Sequence, residues 1–126
     1  MPKLCYQELN LLQMLDVLRT APMLHLALCS QGAPYVIPMH YQLEARGATP
    51  VLHMVLPPAG RAMEALLQNS LICAEIDLPA PAWLDTVVIS GRGQVGLSEP
   101  GRAVEVLLVP REITGRRYFV QGGTQA

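Results

Sequence analysis

Apolar and polar positions along the chain follow two rhythms, a helical spacing in two short stretches and a period of two almost everywhere else. Over residues 7–19, Leu9, Leu11, Leu12, Leu15 and Leu18 recur at near-helical spacing with Asp16 and Arg19 between them. This predicts an amphipathic helix ended before Pro22, which makes residues 1–20 an N-terminal helical segment. Residues 23–29 switch to alternation, with Leu24, Leu26 and Leu28 set against His25, Ala27 and Cys29, and read as a strand. Ser30-Gln31-Gly32-Ala33 carries turn chemistry, so residues 34–43 return as the hairpin partner. There Tyr35, Ile37, Met39, Tyr41 and Leu43 share one face, and Val36, Pro38 and His40 the other. Proline has no N–H to donate, so Pro38 puts this strand at an edge or a break in pairing.

Residues 44–49 read as a polar turn and 50–56 as a third strand. Pro57-Pro58-Ala59-Gly60 cannot continue a ladder and leads into a short helix over 61–69. A fourth strand follows at 70–77, then a proline-marked loop around Trp83, and a long strand at 85–97. Gly91, Gly93 and Gly96 mark the long strand as bent or bulged. A last strand at 103–112 turns at Thr114-Gly115 and runs on into Tyr118-Phe119-Val120, leaving 121–126 as a frayed tail. The whole is one mostly β domain over residues 1–126: six or seven antiparallel strands with two short helices, in a closed or half-closed barrel.

Composition adds one thing to this picture. Hydrophobic residues make up 51% of the chain and charged residues 15%, against about 25% charged in an average soluble domain. So apolar an excess in one small domain predicts surface hidden by another subunit or by a ligand. No apolar run approaches the roughly 20 residues of a membrane-spanning helix, and Met1-Pro2-Lys3 does not open an export signal; the expectation is a cytoplasmic protein. A net charge of −1 with scattered arginines predicts no affinity for nucleic acid. Cys5, Cys29 and Cys73 are widely spaced without a CxxC, which reads as reduced thiols.

The passage from His53 to Asn69 carries the strongest chemical signal. A strand ends, a glycine follows two prolines, and an arginine stands at a helix start. Free N–H groups at a helix N-terminus and a guanidinium fork both suit phosphate oxygens, so Gly60-Arg61 reads as a phosphate clamp. The competing reading is a turn glycine beside a solvated arginine. His25, His40 and His53 show no metal-ligand spacing with one another, and no metal is expected. His53 is the candidate acid or base. Ser90 lacks a GxSxG context, and Gly91-Arg92-Gly93 lies in a strand pattern rather than a dinucleotide-binding turn.

Several segments together resemble the pyridoxamine 5'-phosphate oxidase-like FMN-binding split barrels, in the branch of the nitroimidazole-resistance reductases. They are His25-Leu26-Ala27-Leu28, the segment from Pro34 through Tyr41, His53 with Gly60-Arg61, Thr86-Val87-Val88-Ile89-Ser90-Gly91, and Ile113-Thr114-Gly115-Arg116. The resemblance implies a homodimer with FMN in the groove between two barrels, reducing a small molecule with electrons from a nicotinamide donor. It places Gly60 and Arg61 at the phosphate, Val36, Ile37, Pro38 and Met39 along the ring, His53 near the cofactor, and Thr86 and Val87 at its Ser-Val positions.

Two departures qualify the likeness. Ala62 stands where the family has a lysine; one charged hydrogen bond contributes about 1.5–3 kcal/mol, or about one to two decades in affinity. Only residues 98–103 join the last two long strands, where the family has a long helix. These departures favour the alternative of a catalytically degenerate barrel serving as a binding or interaction subunit. A third reading keeps the barrel but exchanges FMN for haem or a deazaflavin, with His40 or His53 as haem ligand.

Overall fold

The computed structural model describes residues 1–96 and 99–122. The elements run β1 (Lys3–Glu8), α1 (Leu11–Thr20), β2 (Leu24–Ser30), β3 (Ala33–Met39), β4 (Gln42–Arg46), β5 (Thr49–Leu56), α2 (Arg61–Gln68), β6 (Leu71–Pro79), β7 (Leu84–Val95) and β8 (Val104–Gln121). All strand pairs are antiparallel, in the order β3-β2-β6-β7-β8-β5-β4, with β1 alongside the far end of β8. The chain leaves β3 at one edge and enters β4 at the other with only His40 and Tyr41 between. Three Cα–Cα steps reach at most about 11 Å. The sheet therefore curls until its two edges nearly meet, giving a mostly β, antiparallel split barrel with a seam between β3 and β4.

Alternation decides which side chains fill it. Leu24, Leu26 and Leu28 of β2, Ile72, Ala74 and Ile76 of β6, Val87 and Ile89 of β7, and Val104, Val106 and Leu108 of β8 form the interior with Leu52, Met54 and Leu56 of β5. Leu15 and Leu18 of α1 and Met63, Ala65 and Leu66 of α2 join the same core. Tyr35, Ile37, Met39, Tyr41 and Leu43 all pack against it, as their common face implied. The β2–β3 turn forms at Gln31 and Gly32, both with positive φ (53° and 78°), between the paired Ser30 and Ala33. Pro38 does lie on an edge strand, because β3 pairs only with β2.

Several sequence expectations change. The segment 1–20 is not wholly helical: α1 begins at Leu11, and Lys3–Glu8 form β1 against Arg116–Gln121. Asn10 sets that start. Its side chain accepts from the Gln13 amide while the Gln13 side chain accepts from the Asn10 amide, both at 2.9 Å. The single strand at 34–43 breaks after Met39, and of the expected turn at 44–49 the first half is β4, the turn itself narrowing to residues 47–48 with Gly47 (φ 63°) at the reversal. The break is held by Tyr41, whose hydroxyl donates to the Leu18 carbonyl at 2.6 Å. The turn at Thr114-Gly115 is absent: β8 runs unbroken from Val104 to Gln121, and it is the added β1 and β4 that bring the sheet to eight strands rather than six or seven. Gly115 has another reason to be glycine, since a Cβ there would stand 2.6 Å from Cγ of Met14. Finally, Gln121 pairs with Lys3 instead of fraying, while residues 123–126 lie outside the described residues.

The bulge expected from the glycines is present. The β7–β8 register shifts between Ser90 and Gly91, and a Cβ on Gly91 would lie 2.0 Å from the Val109 carbonyl oxygen. The β7–β8 connection starts with the Gly96 amide donating to the Glu105 carbonyl at 2.8 Å and holds no helix among its described residues. Leu97, expected at the end of the long strand, lies outside them.

Candidate functional site

Arg61 is the first residue of α2, and Gly60 before it has φ 124°, a conformation a side chain resists. Gly60 has no side chain to cap the helix, so the first N–H groups of α2 are left without a side-chain acceptor. Arg61 does not extend freely into solvent. Its Nε donates to Oγ of the buried Ser30 at 3.2 Å, and its guanidinium carbon stands 4.4 Å from the centroid of the Tyr35 ring. The arginine is thus folded back over the β2–β3 hairpin, stacked on one residue and bonded to another. It lines a hollow of about 320 Å³ with Ser30, Gln31, Glu64, Ala65 and Gln68. Glu64 brings a carboxylate into the same hollow, opposing any bound anion.

Tyr35 lies near the start of β3 and Met39 at its end, so the unpaired edge between them runs about 13 Å. Val36 and Pro38 point outward and are exposed; Ile37 and Met39 are half-buried on the inner face. Beyond Met39 the seam opens into a second cavity of about 680 Å³, lined by Met39, His40, Tyr41, Gln42, His53, Met54, Val55 and Glu105. The structure therefore brings together the β3 residues with Arg61 at one end and with His53 at the other.

His53 is fully engaged. Its Nδ1 lies 2.8 Å from Oε1 of Glu105 and its Nε2 3.0 Å from Oε2 of Glu44. Glu44 foremost, then Glu105, hold the imidazole above its ordinary pKa, while His53, then Arg46, hold Glu44 below the usual carboxylate range. With a carboxylate on each ring nitrogen, His53 is a charged strut across β4, β5 and β8, with no free nitrogen to ligate haem. His40 keeps one nitrogen free, its Nδ1 lying 3.3 Å from the Pro22 carbonyl.

Thr86 and Val87 are not part of this grouping within one chain. They lie on β7, three strands from β3, about 14 Å across the sheet. Thr86 faces outward beside Asp77 and Arg116 in register, and the Val87 side chain is wholly within the core.

Sequence reasoning missed the acidic partners of the histidines. Besides Glu44 and Glu105 on His53, Glu75 stands directly across from His25, with its Oε1 3.1 Å from Nδ1. The ligand atoms of His25, Glu75 and Asp77 all lie within 4.8 Å of one another. Glu75 is pushed up to about 7 by burial first and then by the Asp77 carboxyl beside it, with His25 pulling the other way. The i, i+2 spacing of Glu75 and Asp77 was legible as one face of a strand; the pairing that sets His25 opposite them was not.

Compared with known proteins, the chain matches no family model and no curated protein by sequence. Solved structures do match it. A protein assigned to 5-nitroimidazole antibiotic resistance from Bacteroides thetaiotaomicron superposes with a TM-score of 0.82 at 14% identity, covering 94% of this chain and 90% of that one. An FAD-binding protein from Mesorhizobium loti gives 0.78 at 19% identity over 92% and 98% of the two chains. The FAD-binding protein from Mycobacterium smegmatis gives 0.74 at 17% over 90% and 98%. At such identities the likeness establishes the shared fold.

Proposed function

We propose that this split barrel binds a flavin nucleotide, FMN, along the β3 edge, and works as a homodimeric flavoprotein that reduces a small molecule. The observation that carries the reading is Arg61: a guanidinium fixed by Ser30 and Tyr35 beside the uncapped start of α2, at one end of an unpaired strand edge. The guanidinium and the free N–H groups suit a terminal phosphate, against the opposing carboxylate of Glu64 in the same hollow. From it, Val36, Ile37, Pro38 and Met39 lead toward the seam, where a planar ring would lie with His53 and Glu105 near its far end. The solved structures described as FAD-binding share this fold and support the reading.

A bound flavin supplies the electron chemistry, and the chain's residues supply grip and surroundings. Arg61 and the Gly60–Met63 backbone hold phosphate; the β3 edge orients the ring and shields one side from water. His53, with a carboxylate on each ring nitrogen, has no free nitrogen for proton abstraction and serves instead to fix the seam beside the ring. Thr86 lies too far from β3 of its own chain to join this site. In the homodimer it meets the flavin held by the partner.

The test is a titration of the purified chain with FMN and, separately, FAD. We expect micromolar or tighter binding of FMN, weakened about tenfold or more by Arg61→Ala, the loss of one charged hydrogen bond. Tighter binding of FAD would replace FMN by the dinucleotide. Flavin binding indifferent to Arg61 would overturn the phosphate clamp, and a folded chain that binds neither flavin would favour instead the degenerate interaction subunit, to which Ala62 and the short β7–β8 connection also point.

A further inference from the structure

We propose that His25, Glu75 and Asp77 form a binding site for one divalent transition-metal ion on the outer face of the sheet. Glu75 and Asp77 sit two apart on β6 and so share a face, and His25 on β2 is the direct partner of Glu75. The three ligand atoms fall within 4.8 Å of one another, and the His25 Nδ1 to Glu75 Oε1 separation is 3.1 Å. An ion with bonds of about 2.0–2.2 Å sets its ligand atoms about 3.0–3.5 Å apart, so small side-chain rotations close the set around it.

Charge points the same way. Two carboxylates converge here; among the described residues Glu75 has one salt-bridge partner, His25, and Asp77 has none. A dication with one neutral imidazole offsets both charges, which a hydrogen bond to a single histidine does not. The other histidine flanked by two glutamates makes the contrast. Glu44 and Glu105 lie on opposite edges of the His53 ring, so no one ion can reach all three. At His25 one ligand atom from each of the two carboxyl groups and one from the ring lie within 4.8 Å of one another.

One imidazole nitrogen with two carboxylate oxygens suits Zn²⁺, Mn²⁺ or Fe²⁺ rather than soft Cu⁺ or oxygen-hungry Ca²⁺. Three protein ligands leave positions open for water or an exogenous ligand. The ligands stand on strands paired on both sides, β2 by β3 and β6, β6 by β2 and β7, so the backbone beneath the site is rigid. His25 and Glu75 are 47% and 37% exposed, so an ion can enter from solvent.

The inference is tested on flavin-free chain. After treatment with a chelator, calorimetric titration with ZnCl₂ is expected to show one ion per chain at micromolar affinity or tighter. His25→Ala and Glu75→Gln should each weaken it at least tenfold with unchanged circular dichroism, and His53→Ala should leave it intact. Co²⁺ gives a readout that needs no variant, with visible bands of nitrogen and oxygen coordination and no thiolate charge-transfer band. Zinc affinity that either variant reduces less than tenfold, a thiolate band from Cys29 or Cys73, or no stoichiometric binding would each overturn the site.

Discussion

At the scale of single residues, what a side chain can do here depends on which strand lies beside it. His53 is the clearest case. Read along the chain it is a lone histidine at the end of an apolar strand; in the sheet it bridges Glu44 and Glu105. Its pKa is raised above the ordinary 6.5, so its contribution to stability is complete below that value and fades as pH rises through the folded pKa. Glu44 is shifted down from 4.5, so its contribution is present above that value and is lost as pH falls through its folded pKa. The cluster therefore steadies the barrel most between these two ordinary values. Melting temperatures of the native chain and His53→Gln at pH 5.5, 7 and 8.5 should differ most at pH 5.5 and converge as pH rises. A constant difference would mean the ring is not the charged strut described. Arg61 was legible from its place after Gly60, whereas its anchors Ser30 and Tyr35, on the preceding hairpin, were not.

At the scale of elements, alternation located β2, β3, β5, β6 and β7 because each has a strongly apolar inner face. It failed where that contrast is weak. β1 is almost wholly exposed and carries no apolar rhythm, and β4 is short and polar; both exist because a neighbouring strand offers them a ladder. Glycine misled at Gly115, where the requirement is room for Met14 rather than a turn, and informed at Gly91. Gly91→Ala would drive a Cβ into the Val109 carbonyl, a backbone atom that cannot step aside. We expect a loss of about 3 kcal/mol or more by urea denaturation. Gly32→Ala, in open space with φ 78°, should cost only about 1–2 kcal/mol, the penalty of a left-handed conformation. Equal costs would remove the bulge from its structural role.

At the scale of the whole molecule, the composition already pointed to surface in need of cover, and Leu4, Tyr6, Val36, Val55, Leu71, Leu84 and Val120 are all exposed large hydrophobic residues. The separation of Thr86 from β3 turns the proposed homodimer into a test. If each flavin is held by Arg61 of one protomer and approached by Thr86 of its partner, Arg61→Ala and Thr86→Arg each weaken binding about tenfold or more at both sites of their own homodimers. Mixed dimers of the two variants would then regain one intact site of two, seen as half-stoichiometric flavin binding after co-expression and purification of the heterodimer. No recovery, with light scattering confirming the heterodimer, would mean that each chain builds its site by itself.

The pairing of β1 with the far end of β8 bears on how the chain is made in the cell. Glu8 meets Arg116 and Lys3 meets Gln121, so β1 has no partner until β8 has been synthesised. At the usual pace of translation the gap of roughly 110 residues lasts about 5–20 s. Through that interval Leu4 and Tyr6 wait beside the ribosome on an unpaired edge, available to any chaperone or any other nascent chain that reaches them first.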